Sequence, residues 1–595
     1  ITLVKDENKA IPLNKLDQRK IAAISIGASA KNQFLNMVKL YGDVDVFSVA
    51  DGSQLAGLKT QLAKYNTVII SIHNRKSPNN AGIMEIAKGK ESILAFFISP
   101  YYLSPYSSSI DAANGVFIGY EDTELAHEFT AQAIFGGQEI NGRLSMSINP
   151  QLKEGTGISK KKSRLAYGIP EEVGIQSSDL DSIAVIVEEG IREKAYPGAQ
   201  VLIAKDGVVI YNRAFGTFTY EDDRTVLTSD IYDVASMTKA SATVPALMKL
   251  RDMQKITLSE PLSRYVSQLK GSNKARITLR DALLHETGIV SFIPYYMETI
   301  DKDSYQGTLF SRRYSEVYNA KFDNTTYART DYKFKSNLIS QTPKKDFLPI
   351  AEGLFVNKAY EDSIIQQIAD TKLRSRSNYL YSCLNFILLY KLVENVSQQE
   401  MDVFLDKQYY KRLGAATTTF RPLTKFPKER IVPTERDAFL RKQLIQGYPH
   451  DEGAAFMGGV SGNAGLFSNA NDLAKLYQMW LDGGRYGEEQ YLSANTVNLF
   501  TKGKSATSRR GLGFDKPETK GSKSGPCSPS TPASTYGHTG YTGTSFWVDP
   551  DNQLIYIFLS NRVYPSRTPN GLSKLEIRSR IQEEIYKAIK KGKKA

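Results

Sequence analysis

Short apolar runs alternate with amphipathic stretches over the first 150 residues. The runs are bunches of Val, Ile and Phe bounded by Gly, Pro or polar residues, which is the pattern of strands buried on both faces. They are KIAAISIG, VDVFSVA, NTVIISIH, SILAFFISP and GVFIGY. Helical patterns such as NQFLNMVKLYG and LAGLKTQLAKY separate them. The alternation predicts one α/β domain over residues 1–150, with a mostly parallel sheet covered by helices on both faces.

The pattern changes after a polar, glycine-containing stretch at 151–165, which we interpret as an interdomain linker. Two β-rich runs flank an Asp-Gly pair in AQVLIAKDGVVIYNRAFG, which predicts a hairpin. Two more flank DPDN in TSFWVDPDNQLIYIFLSNR, and a helical stretch follows near the end. Residues 166–595 therefore predict an α+β domain whose antiparallel sheet, flanked by helices, is completed by both ends of the segment. The Tyr- and Lys-rich residues 290–365 are typical of a long insertion that shapes a cleft.

Composition excludes several classes of function. The formal net charge is +13, but Lys and Arg are scattered along the chain, so we expect no nucleic-acid partner; attraction to anionic envelope polymers is equally compatible. No apolar run approaches the ~18 residues of a membrane span, so no transmembrane segment is predicted. Two cysteines make no disulfide framework, and no Cys and His spacing indicates a metal. We expect neither a metal nor a cofactor.

Ser236 and Lys239 are the first candidates for chemistry. A serine hydroxyl is a weak nucleophile unless a base takes its proton, and residues three apart on a helix lie on one face. If the lysine is partly buried its pKa falls, which suits it to be that base. The same spacing occurs at Ser159 and Ser267, but only Ser236 follows a β-rich segment and opens a helical run. A helix N-terminus there would offer free N–H groups to an oxyanion.

Two further stretches would complete a site around Ser236. YLYSCLNFILLYKLV places Tyr381 before an amphipathic helix, with Ser382 and Cys383 following. YGHTGYTG places His538, Thr539 and Gly540 on a strand whose glycines would let a substrate backbone approach closely. A hydroxyl-bearing residue near Ser236 could act as a base together with Lys239, and an edge strand could bind a peptide-like substrate by β-addition.

These three stretches, in this order, resemble the signature of the serine β-lactamase and penicillin-binding protein superfamily. Residues 279–289 (LRDALLHETGI) and 450–484 indicate its class C and esterase-like branch. The resemblance implies an acyl-enzyme on Ser236, with Lys239 and Tyr381 moving its proton. It also implies an oxyanion hole from the backbone N–H groups of Ser236 and Tyr541. His285, and His450 with its acidic neighbours, are interpreted as structural or loop residues.

The resemblance assigns substrate binding to Cys383, His538, Thr539 and Gly540, with His538 facing the substrate carboxylate or the leaving group. Two of these residues depart from the family pattern. Cys383 stands where Asn or Asp is common, and that side chain normally helps hold the substrate amide. His538 stands where Lys is commoner. Both departures argue against efficient β-lactam hydrolysis, while the nucleophile and its base remain.

Residues 118–148, with ITLVKDENKAIPL at the start, resemble the C-terminal α/β domain of family 3 glycoside hydrolases of the N-acetylglucosaminidase type. In that family the domain follows a barrel that carries the catalytic carboxylate. An upstream glycosidase barrel is therefore possible in a longer parent protein, and glycosidase chemistry is not expected from this chain. His73 and His127 are interpreted as packing or surface residues.

The two resemblances together imply a substrate and a place. We expect a small-molecule or muropeptide substrate derived from peptidoglycan, cut as a muramoyl-peptide amide or a D-Ala-D-Ala-type peptide. A β-lactamase or general carboxylesterase, and a non-catalytic cell-wall-binding protein, remain alternatives. The implied location is the bacterial cell envelope, periplasmic or exported.

Overall fold

The computed structural model describes residues 1–74, 79–374, 379–518, 525–568 and 570–593. They form two compact units. The first contains residues 1–168 with the short segments 409–416 and 485–491, and the second contains residues 169–408, 417–484 and 492–595. None of the helices in these described ranges combines the length and the apolar character that a membrane span requires.

The first unit is built on a six-stranded sheet. From one edge to the other, its strands are Thr2–Asp6, Gly115–Ile118, Glu91–Phe96, Thr67–Ile72, Ile21–Ile26 and Val44–Val49. The first runs antiparallel to its neighbour and the other five are parallel. The α-helices over residues 1–168 are Gln33–Val38, Lys59–Leu62, Asn80–Ala87, Ser107–Ala112 and Glu124–Phe135.

Both faces of this sheet are buried, which explains its near-continuous apolar strands. Ile24 and Ile70 belong to one hydrophobic cluster, and their chain neighbours Ala23 and Ile69 belong to another. Successive strand side chains point to opposite faces, so each cluster fills one side of the sheet. The five apolar runs of the sequence all form these parallel strands.

Residues 151–165, interpreted above as a linker, are hydrogen-bonded within the first unit. Ile158 N donates to Leu3 O, and Ile140 and Lys160 exchange backbone hydrogen bonds. The Lys160 ammonium also pairs with the Asp6 carboxylate at 2.6 Å. A polar composition indicated a linker, but these backbone pairings come from residues distant in sequence.

The second unit contains an antiparallel sheet assembled from both ends of its chain. Five of its strands, in spatial order, are Tyr536–Thr539, Ser545–Asp549, Leu554–Ser560, Gly198–Lys205 and Val208–Gly216. Asp206 (φ 52°) and Gly207 (φ 72°) make the two-residue turn of the predicted hairpin. Pairing of Leu554–Ser560 with Gly198–Lys205 joins the two ends, as the sequence pattern predicted.

Helices cover both faces of this sheet. Phe546 stacks on Tyr477 of helix Ala470–Leu481 with ring centroids 4.0 Å apart. Tyr556, one residue from the cross-strand partner of Phe546, donates its hydroxyl to Arg578 O of helix Ile577–Gly592. Because cross-strand partners share a face and the next residue points the other way, these two helices lie on opposite faces.

The remaining elements of the second unit surround this core. Its other α-helices are Asp181–Arg192, Val244–Asp252, Leu279–Leu284, Tyr296–Thr299, Tyr360–Asp370, Cys383–Ser397, Met401–Leu405, Glu452–Phe456, Ala494–Lys502 and Gly571–Lys574. Small antiparallel sheets are formed by Tyr232–Asp233 with Phe467–Ser468 and by Glu435–Asp437 with Gln443–Ile445. Residues 290–365 add two three-stranded sheets, with strands Phe310–Ser311, Ala320–Lys321 and Tyr327–Ala328, and Ile339–Ser340, Phe347–Ala351 and Leu354–Asn357.

Candidate active site

Ser236 lies in a tight turn between a short strand and a helix. Strand Tyr232–Asp233 ends just before Ala235, whose φ of 47° is in the left-handed region. The Asp233 carboxylate accepts a hydrogen bond from Ala235 N at 2.8 Å and so stabilises that turn. After Ser236 the chain winds through a π-helical segment, Lys239–Thr243, into helix Val244–Asp252. Wide turns of this kind are frequent at functional sites.

The Lys239 side chain is fully buried and reaches Ser236 directly. Its Nζ donates to Ser236 Oγ at 3.0 Å, to Asn463 O at 2.9 Å and to Cys383 Sγ at 3.5 Å. Three acceptors match the three N–H bonds of an ammonium group. The predicted Ser-x-x-Lys pair is therefore in contact, and a backbone carbonyl that the sequence did not reveal completes its surroundings.

The pKa of Lys239 differs from the sequence-based expectation. Burial disfavours the ammonium, but its electrostatic interactions with Cys383, Tyr381 and Asp451 favour it more, so the pKa of Lys239 is raised above its ordinary value. The expected fall in pKa is wrong, because it considered burial without the groups that other elements bring to the same place. Lys239 therefore rests as an ammonium.

The second stretch is held against Lys239 by its own hydrogen bonds. Ser382 Oγ donates to Val290 O at 2.7 Å, and Ser382 N donates to His285 Nδ1 at 3.1 Å. Cys383 is the first residue of helix Cys383–Ser397. The Tyr381 ring centroid is 5.2 Å from Lys239 Nζ and 4.5 Å from the His285 ring. His285, expected to be structural, thus supports the Tyr381 ring and the segment that leads into helix Cys383–Ser397.

The third stretch forms the edge of the antiparallel sheet. Gly537 exchanges backbone hydrogen bonds with Asp515 on the outer side of strand Tyr536–Thr539, so Thr539, two residues on, presents its backbone on the same side. Gly540 lies so close to its surroundings that a Cβ there would be 2.1 Å from Thr544 Oγ1 and 2.5 Å from Val234 O. Only glycine fits, as close approach of this strand requires.

His538 is a neutral side chain at this site. Burial, with the positive charges of Arg510 and Lys239, lowers the pKa of His538 to about 3. Its Nδ1 lies 2.7 Å from Thr539 O, and because a carbonyl only accepts, Nδ1 carries the proton and Nε2 is left as an acceptor. A neutral imidazole gives no charge to a substrate carboxylate, so the electropositive groups must be sought elsewhere.

Two backbone N–H groups are available to an oxyanion. Within the described residues, neither Ser236 N nor Tyr541 N donates a hydrogen bond. Both residues line the same cavity of about 310 Å³, together with Tyr381, His538 and Thr539. The Tyr541 ring packs between His450, at 5.4 Å, and the Arg562 guanidinium, at 4.4 Å, which fixes the turn that carries its N–H.

Three arginines line this cavity, and sequence analysis identified none of them. Arg510 donates to Tyr379 Oη at 2.8 Å and is 3.3 Å from the Asp515 carboxylate. Arg562 and Arg578 donate to backbone oxygens of Tyr541 and Thr544, and no carboxylate of the described chain lies within ion-pair distance of either. Burial lowers the pKa of Arg578 to about 10. The wall is therefore suited to an anionic group.

An antiparallel sheet whose edge strand borders a serine in contact with a buried lysine defines a protein of the β-lactamase-like class. The family described as Beta-lactamase matches residues 183–577. The chain belongs to this family.

Several curated relatives and solved structures are similar to this chain. A protein of Escherichia coli (strain K12) named "Putative D-alanyl-D-alanine carboxypeptidase" is 29% identical over 464 residues, covering 72% of this chain and 94% of that protein. A Salmonella typhimurium protein of the same name has the same identity and coverage. "EstCE1, a hydrolase with promiscuous acyltransferase activity" is 17% identical with a TM-score of 0.48, covering 69% of this chain and 99% of its own. The octameric penicillin-binding protein homologue from Pyrococcus abyssi is 19% identical with a TM-score of 0.44, covering 67% and 76%.

Proposed function

We propose that this protein is a serine hydrolase that forms an acyl-enzyme on Ser236 and removes the C-terminal residue from peptidoglycan-derived peptides of the D-Ala-D-Ala type. The observation that carries the proposal is the 3.0 Å contact between Lys239 Nζ and Ser236 Oγ, inside a cavity that also contains arginines without a carboxylate partner. The name of the curated relatives supports the substrate class.

The acylation step follows from the contacts around Ser236. Its Oγ attacks the substrate carbonyl carbon, and because Lys239 is already an ammonium, the proton passes to the Tyr381 oxygen in the form of the pair that carries one proton fewer. The Lys239 ammonium stabilises negative charge on the Tyr381 phenol when that phenol is the acceptor. The tetrahedral oxyanion receives hydrogen bonds from the N–H groups of Ser236 and Tyr541.

Two features of the cavity orient a peptide. The outward backbone of Thr539 pairs with the substrate main chain as an added strand. Arg562 and Arg578 lie where a terminal carboxylate balances their charge. The leaving amine then takes the proton held by Lys239 and Tyr381, the C-terminal amino acid departs, and water hydrolyses the ester on Ser236 by the reverse sequence of proton transfers.

Digestion of a defined muropeptide that ends in D-Ala-D-Ala, with products read by mass, tests this function. We expect loss of one alanine with the wild type and loss of activity by about 10⁴-fold or more in Ser236→Ala, since the covalent step is removed. The control is Ser267→Ala. Ser267 is exposed and, like Ser236, lies three residues before a lysine. Retained cleavage in Ser236→Ala would contradict the proposal.

The other activities in this superfamily are separated by substrate. A β-lactamase would turn over nitrocefin and a carboxylesterase would turn over p-nitrophenyl esters faster than the muropeptide, whereas a muramoyl-peptide amidase would release the whole peptide from the sugar. A non-catalytic wall-binding protein would show no mass adduct on Ser236 after treatment with a fluorophosphonate or penicillin.

A location in the cell envelope follows from the same proposal. Peptidoglycan peptides are found there, and the curated relatives are named as carboxypeptidases that act on D-alanyl-D-alanine. The resemblance of residues 118–148 to the C-terminal domain of family 3 glycoside hydrolases points the same way, and five parallel strands between helices are compatible with it. We propose that the first unit is a domain of that kind.

A further inference from the structure

Two histidines and an aspartate meet in the first unit, far in sequence from Ser236. His73 directly follows strand Thr67–Ile72, Asp122 lies four residues after strand Gly115–Ile118, and His127 is in the first turns of helix Glu124–Phe135. Strand Ile21–Ile26 has its next strand on one side and Thr67–Ile72 on the other, so the strand order reverses there. Ligands of open parallel sheets bind outside the carboxyl ends of strands at such points.

The ligating atoms of these residues converge on one carboxylate oxygen. His73 Nδ1 and His127 Nε2 each lie 2.7 Å from Asp122 Oδ1, and the three ligand atoms are all within 4.8 Å of one another. Both imidazoles are buried, whereas the Asp122 side chain is 47% exposed. The cluster therefore has two imidazole nitrogens inside and a carboxylate at its open side.

The second ring nitrogen of His73, Nε2, is held by a buried chain of polar groups. His73 Nε2 lies 2.9 Å from Ser71 Oγ, which lies 2.7 Å from Ser25 Oγ, and Asn32 Nδ2 donates to Ser25 Oγ at 2.8 Å. A histidine that binds a metal through one nitrogen commonly donates the other N–H to such a group, which fixes its tautomer. The other nitrogen of His127, Nδ1, has no hydrogen-bond partner among the described residues, so the polar contact of that ring lies on the Asp122 side.

We propose that His73, Asp122 and His127 bind a divalent transition-metal ion of the Zn²⁺ type. Imidazole and carboxylate ligands suit Zn²⁺, and three protein ligands with one open position make a recognised site geometry. Coordination at about 2.0–2.2 Å separates tetrahedral ligand atoms by about 3.3–3.5 Å. To reach that separation, the exposed Asp122 side chain rotates so that its 2.7 Å contacts lengthen. The two imidazole nitrogens, which lie within 4.8 Å of each other, also move closer together. The fourth position then faces solvent beside Asp122.

Metal-free wild-type protein, prepared by chelation and desalting, is titrated with ZnCl₂ by calorimetry. We expect one Zn²⁺ per chain and at least a tenfold loss of affinity in Asp122→Asn and in His127→Gln. The matched control is Glu121→Gln, which changes the neighbouring exposed carboxylate and is expected to keep wild-type affinity. Absence of Zn²⁺ binding, or equal binding by Asp122→Asn and Glu121→Gln, would show that the cluster is a hydrogen-bonded network only.

A second measurement on the wild type does not depend on the folding of variants. Zinc-edge X-ray absorption of the one-to-one complex should show scattering from two imidazole rings in a coordination sphere of nitrogen and oxygen. The chain has five histidines, and the other three, His285, His450 and His538, belong to the second unit. A spectrum without imidazole, or with sulfur ligands from a cysteine, would overturn the assignment.

Discussion

Cys383 contacts Lys239, but its side chain is poorly suited to the substrate binding that the family resemblance assigns to this position. Its sulfur accepts a contact from Lys239 at 3.5 Å, but a thiol is a weak partner for a substrate amide. Replacement by asparagine would keep an acceptor for the ammonium and add an amide for the substrate. We therefore expect this side chain to affect the efficiency of acylation while leaving the nucleophile in place.

We predict that Cys383→Asn is acylated by penicillin about tenfold faster than the wild type, the effect of one added hydrogen bond of roughly 1.4 kcal/mol. The second-order rate constant for the mass adduct on Ser236 measures this. The control is Cys383→Ala, which offers Lys239 no polar atom and is expected to be slower than the wild type. Equal rates for the Asn and Ala variants would refute a substrate contact at this position.

The lowered pKa of His538 predicts how the free energy of unfolding depends on pH. Its folded pKa is about 3 against an ordinary 6.5, so below pH 6.5 the unfolded chain binds a proton that the folded chain refuses. Folding stability is therefore lost as pH falls from 6.5 towards 3, at up to about 1.4 kcal/mol per pH unit. We predict that the free energy of unfolding of His538→Gln, relative to that of the wild type, is higher at pH 5 than at pH 7.5 by up to about 2 kcal/mol. Urea unfolding at the two pH values measures this. If the difference in unfolding free energy between the variant and the wild type were the same at both pH values, the lowered pKa of His538 would be refuted.

The element scale shows what sequence could and could not reveal. The hairpin at Asp206 and the pairing of Ser236 with Lys239 depend on residues that are close together in the sequence, so their spacing predicted both. The carbonyl of Asn463 and the guanidinium of Arg562 come from other elements, and nothing local distinguishes them among many similar residues. The raised pKa of Lys239 has the same origin, because it depends on which side chains the fold brings to a buried amine.

Two helices of the second unit share a partly buried charge cluster. Glu361 of helix Tyr360–Asp370 and Glu394 of helix Cys383–Ser397 both approach Lys391. Burial, and then the like charge of Glu361, raise the pKa of Glu394 from 4.5 to about 7. The folded state thus holds a proton that the unfolded state releases above pH 4.5. Its contribution to stability is full below pH 4.5 and is lost as pH rises through 7.

We predict that Glu394→Gln, which imitates the protonated side chain, raises the free energy of unfolding by about 1–3 kcal/mol at pH 8.5 and changes it little at pH 4.5. Urea unfolding at the two pH values measures the difference. Glu172→Gln, at an exposed carboxylate of the same unit, is the matched control and should have no such pH dependence. A gain at pH 4.5 as large as that at pH 8.5 would rule out titration of Glu394 as its cause.

At the scale of the whole molecule, both the chain and the cavity beside Ser236 carry an excess of positive charge. The chain carries a formal net charge of +13, and the cavity beside Ser236 is lined by three arginines. A positive field of this kind accelerates encounter with anionic substrates and is screened by salt, with a Debye length of about 10 Å at 0.1 M. An uncharged substrate gains nothing from it.

Two peptides that differ only at the C-terminus, one a free carboxylate and the other its methyl ester, therefore respond differently to salt. We predict that kcat/KM for the carboxylate falls severalfold between about 20 mM and 500 mM NaCl, while kcat/KM for the ester changes little. In Arg562→Gln, kcat/KM for the carboxylate should fall further and that for the ester should stay near the wild-type value, because the lost group pairs only with the anion. Equal salt dependence for both peptides would mean that the arginine-lined wall does not contact the terminal carboxylate.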